Sequence, residues 1–156
     1  MTLKPGDLAP DFSLPDGEGN VTNLSDLRGS RIILYFYPRD NTPGCTKEAC
    51  GFRDAYAQYQ EKNVVILGVS TDDAKAHTKF SAKYNLPFPL LTDEGGAVST
   101  QYESYGLKKF MGKEYMGISR TTFIIGPDGK IEKIYKKVKP EPHAAQILTD
   151  LGELEG

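Results

Sequence analysis

An unbroken apolar run, Ile-Ile-Leu-Tyr-Phe-Tyr, occupies residues 32–37. β-Branched, aliphatic and aromatic residues without polar interruption are typical of a strand that is buried on both faces, in the middle of a sheet covered by helices. Pro38 ends the run, and residues 40–44 (Asp-Asn-Thr-Pro-Gly) have the composition of a turn. The pattern therefore predicts a central strand followed by a tight loop.

Apolar residues at helical spacing follow this loop, at Phe52, Ala55, Tyr56 and Tyr59. They predict a helix whose first turn contains Cys45. Backbone N–H groups in a first turn have no partner within the helix and carry a partial positive charge, so a thiolate there is stabilised relative to its thiol. This placement indicates an activated nucleophile. The alternative is a small, buried apolar cysteine, which is the commoner fate of a lone Cys.

Cys50 is the second of the two cysteines in the chain and follows Cys45 by five residues. On a continuous helix, Cα atoms five residues apart are separated by roughly 8–9 Å. A disulfide needs Cα atoms closer than about 7 Å. The two thiols can therefore bond only if the helix opens locally, which a terminal turn does at low cost in free energy. The spacing indicates a redox cycle rather than a structural crosslink.

The rest of the pattern predicts strands that alternate with helices. An N-terminal β-hairpin is expected around the turn at residues 16–20, followed by one helical turn at residues 25–29. The remaining expectations are strands at 64–70, 90–92, 121–125 and 130–138, helices at 73–84 (capped by Thr71 or Asp72), at 95–102 and from 142 onwards, and an irregular loop at 105–117 that holds Met111, Tyr115 and Met116.

This order of elements predicts the α/β class. Early alternation of strands and helices implies parallel strands with right-handed crossovers, and the closing hairpin adds antiparallel strands. A mixed central sheet of about five strands flanked by helices, with an N-terminal β-hairpin, is a thioredoxin-like architecture. At 156 residues, the chain is expected to form one domain, 1–156, with a core that needs neither disulfides nor metal.

Composition excludes several classes of function. A net charge of -2 and a pI of about 5.7 leave no basic footprint for nucleic acid or for an anionic membrane. The N-terminal residues lack the apolar core of a signal peptide, and no segment approaches the roughly 20 apolar residues of a membrane span. Two cysteines do not resemble a secreted disulfide scaffold. We therefore expect a cytoplasmic protein in which a free thiol pair can cycle.

The motif Pro38-x-x-x-Thr42-x-x-Cys45, directly after a hydrophobic strand, resembles the active-site signature of peroxiredoxins. The longer string at residues 37–50, Tyr-Pro-Arg-Asp-Asn-Thr-Pro-Gly-Cys-Thr-Lys-Glu-Ala-Cys, is similar to the bacterioferritin comigratory protein branch, also called peroxiredoxin Q. The likeness extends over nearly the whole chain and includes residues 16–29 and 119–123.

The resemblance implies a thiol peroxidase that acts on hydrogen peroxide and organic hydroperoxides. Cys45 matches the peroxidatic cysteine, which becomes a sulfenic acid, and Cys50 matches the resolving cysteine, which forms an intramolecular disulfide with it. Thr42 matches the hydroxyl that hydrogen-bonds within the peroxide site. Pro38 matches the residue that shields this site, and Arg120 the arginine beside it.

The resemblance also implies reduction by thioredoxin or a glutaredoxin-like donor. No cofactor or metal is expected, and the chain is expected to be a monomer or a weak dimer. The chemistry is consistent with these roles, because O–O cleavage needs a thiolate and donors for the peroxide oxygens. Arg120 supplies a permanent cation, the backbone N–H groups near Gly44 and Cys45 supply donors, and Thr42 can donate and accept.

Each of these residues also has an ordinary explanation. A single Arg such as Arg120 is by default a solvated surface group. Thr42 could be a turn residue or a helix N-cap, and Pro38 could simply end a strand. Their joint arrangement around Cys45 favours the functional interpretation over the ordinary ones.

Other candidate residues are weaker. His77 and His143 are interpreted as ordinary helix residues, and the cysteine and histidine spacings do not fit zinc. Met111 and Met116 are interpreted as apolar anchors of a loop rather than as the border of a peroxide pocket. Two other functions stay open. One is a disulfide oxidoreductase, which would require a C-x-x-C motif that the sequence lacks. The other is a non-catalytic module that binds a protein partner and has structural cysteines.

Overall fold

The computed structural model describes residues 2–155, and for the last two of these only the backbone. The strands are β1 Ser13–Pro15, β2 Val21–Asn23, β3 Arg31–Phe36, β4 Val64–Ser70, β5 Leu90–Thr92, β6 Tyr105–Phe110, β7 Lys113–Ile118, β8 Thr121–Ile125 and β9 Ile131–Lys136. The α-helices are α1 Pro43–Asp54, α2 Tyr56–Glu61, α3 Ala74–Tyr84, α4 Ala97–Gln101 and α5 His143–Glu155. Short 3-10 turns occupy Leu24–Leu27 and Glu94–Gly96.

The central sheet has five strands in the order β5-β4-β3-β8-β9. β3 is parallel to β4 and antiparallel to β8, so the sheet is mixed, as predicted. The apolar run of β3 occupies the middle of this sheet, and its residues Ile32 to Phe36 are all buried. The predicted α/β fold with a central buried strand is therefore confirmed.

Two hydrophobic clusters cover the two faces of the sheet, because successive side chains of a strand point to opposite faces. Ile33 and Tyr35 of β3 pack on the face covered by α1, α2, α3 and α5, with Phe52, Tyr59, Phe80 and Ile147. Ile32, Leu34 and Phe36 pack on the other face, against the N-terminal segment and the end of α4, with Phe12, Leu14 and Tyr102.

The parallel pairing of β3 and β4 determines where the functional loop lies. Since the carboxyl ends of parallel strands meet at one edge of a sheet, the loop between β3 and α1 is next to the loop between β4 and α3. The first loop leads to Cys45. The cap of α3 differs from the expectation: Asp73, not Thr71 or Asp72, accepts a hydrogen bond from the Ala76 N–H at 2.9 Å.

The N-terminal hairpin is present, with Ser13 opposite Asn23. The predicted irregular loop at residues 105–117 was wrong, because β6 and β7 form a regular antiparallel hairpin there. Met111 and Gly112 make its turn with positive φ angles of 52° and 79°, as a tight two-residue hairpin turn requires.

The exposed apolar residues of this hairpin explain the wrong prediction. A half-buried strand alternates apolar and polar residues, but the hairpin's apolar side chains face solvent on both strands. Met111 is 87% exposed and Met116 is 54% exposed, so neither anchors a loop in the core. The other exposed apolar side chains of the hairpin are Leu107, Phe110 and Tyr115. Among the described residues, none of the helices is long and apolar enough to span a bilayer.

Candidate active site

Cys45 is the third residue of α1, in its first turn, as the sequence predicted. The first main-chain hydrogen bond of α1 runs from the Thr46 N–H to the Thr42 carbonyl, at 2.8 Å. Pro43 occupies the first helical position, where the missing N–H costs nothing. The N–H groups of Gly44 and Cys45 lie before the first helical bond, so they have no acceptor within the helix. They are available to an anion or a peroxide oxygen.

Arg120 lies between β7 and β8, and its side chain contacts the Cys45 thiol. Its Nη2 donates to the Cys45 Sγ at 3.3 Å, and its Nη1 donates to the Glu48 Oε1 at 2.7 Å. The Arg120 side chain is only 15% exposed, so it is not a solvated surface group. A guanidinium this close to a buried sulfur can donate a charge-assisted hydrogen bond to a thiolate that attacks a substrate.

Glu48 is a residue that sequence reasoning missed. It follows Cys45 by three residues on the same helix face and its side chain is fully buried. Burial raises its pKa to about 7, while the Arg120 charge and hydrogen bond act in the opposite direction. Its Oε2 has no hydrogen-bond partner among the described residues. The three-residue spacing was the available signal, but a charged helix residue is by default solvent-facing.

Gly44 makes room for this arrangement. A Cβ atom at this position would lie 3.0 Å from the Arg120 Nη2 and 3.5 Å from the Pro140 Cγ. A side chain would therefore press on the guanidinium, which would have to yield by a few tenths of an ångström. The glycine is needed for a close approach rather than for an unusual backbone angle.

Thr42 and Pro38 lie in the loop before α1. The Thr42 Oγ1 donates to the Arg39 carbonyl at 2.9 Å and makes no capping bond to α1, although Thr42 holds the N-cap position. Because its proton is used in this way, its oxygen lone pairs can accept from a ligand. Pro38 is half-buried and lies two residues after the end of β3.

Cys50 lies farther along α1 and is half-buried, and both cysteines are free thiols. Since α1 runs without interruption from Pro43 to Asp54, the two thiols are held at helical spacing. The fold thus brings Arg120 to Cys45, beside Gly44. Cys50 stays apart from Cys45 on the same helix. The Nε2 of His143 lies 2.8 Å from the Thr122 Oγ1.

Comparison with known proteins shows the family. The model described as "AhpC/TSA family" matches residues 5–134. Peroxiredoxin Bcp of Bacillus subtilis is 46% identical over 154 residues, which are 99% of this chain and 98% of that protein.

Solved structures agree with the sequence comparison. A mutant of peroxiredoxin Q from Xylella fastidiosa has a TM-score of 0.94 at 31% identity, covering 100% of this chain and 99% of that one. The bacterioferritin comigratory protein of Xanthomonas campestris, studied for its alkyl peroxide reduction activity, has a TM-score of 0.91 at 33% identity, covering 98% and 96%. The chain therefore belongs to the AhpC/TSA family, as a peroxiredoxin of the Bcp or peroxiredoxin Q branch.

Proposed function

We propose that this peroxiredoxin reduces hydrogen peroxide and organic hydroperoxides through Cys45, with Cys50 as the resolving thiol. The observation that carries the proposal is the 3.3 Å contact between the Arg120 Nη2 and the Cys45 Sγ in the first turn of α1. The relative from Xanthomonas campestris, which is studied for alkyl peroxide reduction, supports organic hydroperoxides as substrates.

In the first step, the Cys45 thiolate attacks one peroxide oxygen and the O–O bond breaks. Sulfur is oxidised to the sulfenic acid, the peroxide is reduced, and the leaving hydroxide or alkoxide takes up a proton to become water or an alcohol. Arg120 and the N–H groups of Gly44 and Cys45 donate to the oxygens that gain negative charge. Thr42 accepts a hydrogen bond from the peroxide, and Pro38 shields the site from water.

In the second step, the Cys50 thiol attacks the Cys45 sulfur. A disulfide forms and the sulfenic oxygen leaves as water. Because both residues lie on the continuous helix α1, its first turn has to open before the sulfur atoms can meet. A dithiol donor, thioredoxin or a glutaredoxin-like protein, then reduces the disulfide by thiol–disulfide exchange.

The setting of the reaction follows from its chemistry. A catalytic thiol pair needs a reducing compartment with dithiol donors, so the protein is proposed to act in the cytoplasm. The protein is proposed to be a monomer or a weak dimer.

Mass spectrometry of the non-reduced protein, before and after one equivalent of hydrogen peroxide, tests the proposal. The parent is expected to lose two hydrogens. Cys50→Ser is expected to gain one oxygen and then stop, and Cys45→Ser is expected not to react. Turnover by Cys45→Ser would contradict the assignment, and an unreacted thiol pair in the parent would favour the non-catalytic, partner-binding alternative.

The natural reductant requires a separate assay. Peroxide consumption by the parent is compared with the thioredoxin system and with the glutaredoxin system, each with hydrogen peroxide and with an organic hydroperoxide. Cys50→Ser is the control, because a dithiol donor that acts on the Cys45–Cys50 disulfide is expected to support much less turnover of this variant.

A further inference from the structure

A chain of buried hydrogen bonds lies beneath the loop that connects β3 to α1. The Asp40 Oδ1 accepts from the Tyr37 hydroxyl at 2.5 Å, and the Asp40 Oδ2 lies 2.6 Å from the His77 Nδ1. The His77 Nε2 lies 3.1 Å from the Leu91 carbonyl oxygen. The Asp40 and His77 side chains are 4% and 1% exposed. The peroxidase steps described above do not use any of these groups.

The hydrogen-bond partners determine where the protons of this chain lie. A carbonyl oxygen only accepts, so the His77 Nε2 carries a hydrogen that it donates to Leu91. The Tyr37 hydroxyl donates to one oxygen of the Asp40 carboxyl group. A further proton lies between the His77 Nδ1 and the other carboxyl oxygen, because two acceptors cannot form a 2.6 Å contact. The contact is therefore a hydrogen bond shielded from water, and the low local dielectric makes it one of the stronger hydrogen bonds.

The main chain of Asp40 is held as well. Its N–H donates to the Asp72 Oδ2 at 2.7 Å, and the Ser70 hydroxyl donates to the same oxygen at 2.7 Å. Asp40 is thus tied to α3, to β5 and to the loop that follows β4. Asp40, Asp72 and His77 lie close enough to resemble a metal site. Since these groups satisfy one another, we interpret them as a hydrogen-bond network.

The first turn of α1 is held by Arg120, which donates to the Cys45 Sγ and the Glu48 Oε1, and by the loop that precedes it. Thr42 makes no side-chain cap, and a missing cap typically costs a helix about 1 kcal/mol. Pro43 contributes no N–H group. Between Asp40 and Pro43 lie only Asn41, in a left-handed conformation with φ of 59°, and Thr42. On the side of the loop, the position of the turn therefore depends on Asp40.

We propose that Asp40 and His77 form a latch that sets how often the first turn of α1 opens, and thereby how fast Cys45 reaches Cys50. They act as positioning residues through the loop, without touching the peroxide. This inference deepens the proposed function and rests on its Cys45–Cys50 disulfide.

The latch would also set the resistance of the enzyme to excess peroxide. A Cys45 sulfenic acid in a closed helix is exposed to a second peroxide, which oxidises the sulfur to a sulfinic acid and is itself reduced to water or an alcohol. A sulfenic acid in an opened helix is converted to the disulfide. A weaker latch therefore favours the disulfide over the sulfinic acid.

Amide hydrogen exchange of the reduced protein tests the latch without any peroxide. Asp40→Asn and His77→Gln are expected to speed exchange at residues 43–50 about fivefold or more, the factor that corresponds to about 1 kcal/mol. Tyr37→Phe removes one hydrogen bond and is expected to have a smaller effect in the same direction. If the first two variants do not fold, Tyr37→Phe decides the test.

Asp93→Asn is the matched control. Asp93 is an equally buried carboxylate that accepts from the Ser99 N–H and hydroxyl, each at 2.7 Å, outside the loop before α1. The Asp93→Asn variant is expected to lower the global free energy of unfolding without selectively speeding amide exchange in α1. Exchange at residues 43–50 that is no faster in the latch variants than in Asp93→Asn would overturn the latch.

Peroxide then provides the second measurement. After one equivalent, the latch variants are expected to form the disulfide several-fold faster than the parent, and at high peroxide to accumulate less sulfinic acid. Faster exchange with an unchanged ratio of disulfide to sulfinic acid would overturn the link to catalysis. A parent that formed no Cys45–Cys50 disulfide would overturn the proposed function, whereas the exchange data would still report on the latch itself.

Discussion

At the scale of single residues, one guanidinium serves two partners. Arg120 donates to the Cys45 Sγ with one nitrogen and to the Glu48 Oε1 with the other. The fork of the guanidinium holds both bonds in one plane, which a lysine ammonium cannot reproduce. Arg120 keeps its charge across the working range of pH, so it can donate to the sulfur whichever protonation state Glu48 adopts.

Removal of this guanidinium is expected to slow the first step. Arg120→Ala should lower the rate of Cys45 oxidation about a hundredfold, the usual loss for one donor aimed at developing charge. Stopped-flow measurement of Cys45 oxidation checks this. Arg39→Ala removes an exposed cation of the loop before α1 and is the control, expected to change the rate little. If both variants lost the same rate of Cys45 oxidation, the net positive charge near the site, and not the Arg120 contact, would account for the rate.

Gly44 offers a more selective change. In Gly44→Ala, the new methyl group meets the Arg120 Nη2 at 3.0 Å and displaces it from the sulfur, so peroxide reduction is expected to slow about tenfold, or about 1.4 kcal/mol. The control is Gly51→Ala in the same helix, where the new Cβ lies at an ordinary 3.6 Å from Ala144. Gly51→Ala is expected to keep its rate and to raise the melting temperature. If Gly44→Ala reacted as fast as Gly51→Ala, the close approach would have no catalytic role.

At the scale of elements, the proposed cycle requires α1 to adopt two states. Closed, it presents Cys45 to peroxide beside Arg120; opened at its first turn, it lets Cys45 meet Cys50. Ala49 and Phe52 of its second half pack in the core with Ala144 and Ile147 of α5, so opening is expected to stop before them. Cys45 is buried in the same cluster and has to leave it when the first turn opens.

The opening is measurable by limited proteolysis. Lys47 is exposed but lies within the closed helix, where trypsin cannot bind it in an extended form. The disulfide form is expected to be cut after Lys47 at least about tenfold faster than the reduced form, because local unfolding governs cleavage. The disulfide holds the fragments together until it is reduced. Peroxide-treated Cys50→Ser is the control, and equally fast cleavage there would contradict the need for the disulfide.

At the scale of the whole molecule, two buried groups couple stability to pH with opposite signs. Burial raises the Glu48 pKa to about 7, so between about pH 4.5 and 7 the folded state binds more protons than the unfolded state. Stability contributed by Glu48 therefore falls as pH rises. Burial lowers the His143 pKa to about 4, so between about pH 4 and 6.5 the unfolded state binds more protons, and stability rises with pH.

Glu48→Gln separates the two contributions. In the parent, Glu48 should lower the free energy of unfolding by on the order of 3 kcal/mol between about pH 4.5 and 7, for a pKa shift of this size. The variant should lack this decrease. The increase in stability with pH that His143 causes should remain. Urea unfolding of the reduced proteins at about pH 5 and about pH 8 measures the difference. Glu61→Gln, at the exposed end of α2, is the control. A pH dependence equal to the parent's would show that Glu48 does not keep a proton in the folded state.

The sequence by itself determined the elements that depend on local pattern. The apolar run of β3, the turn residues after it and the spacing of Phe52 and Tyr59 were enough to place Cys45 in the first turn of a helix. Periodicity and turn chemistry act over a few neighbouring residues, so they are readable without the fold. Arg120 came only from the family resemblance, and the single domain stays a prediction.

Only the tertiary structure decided which residues that are distant in sequence contact one another. It placed Arg120 between the Cys45 sulfur and the Glu48 carboxyl group, joined Asp40 to His77 beneath the loop, and paired β6 with β7 where the sequence predicted a loop. The side-chain contacts depend on strand order and register, which bring together residues 37 or more positions apart. Local pattern carries no record of such contacts, because a charged residue that will be buried against a partner has the same neighbours in sequence as one that stays in water.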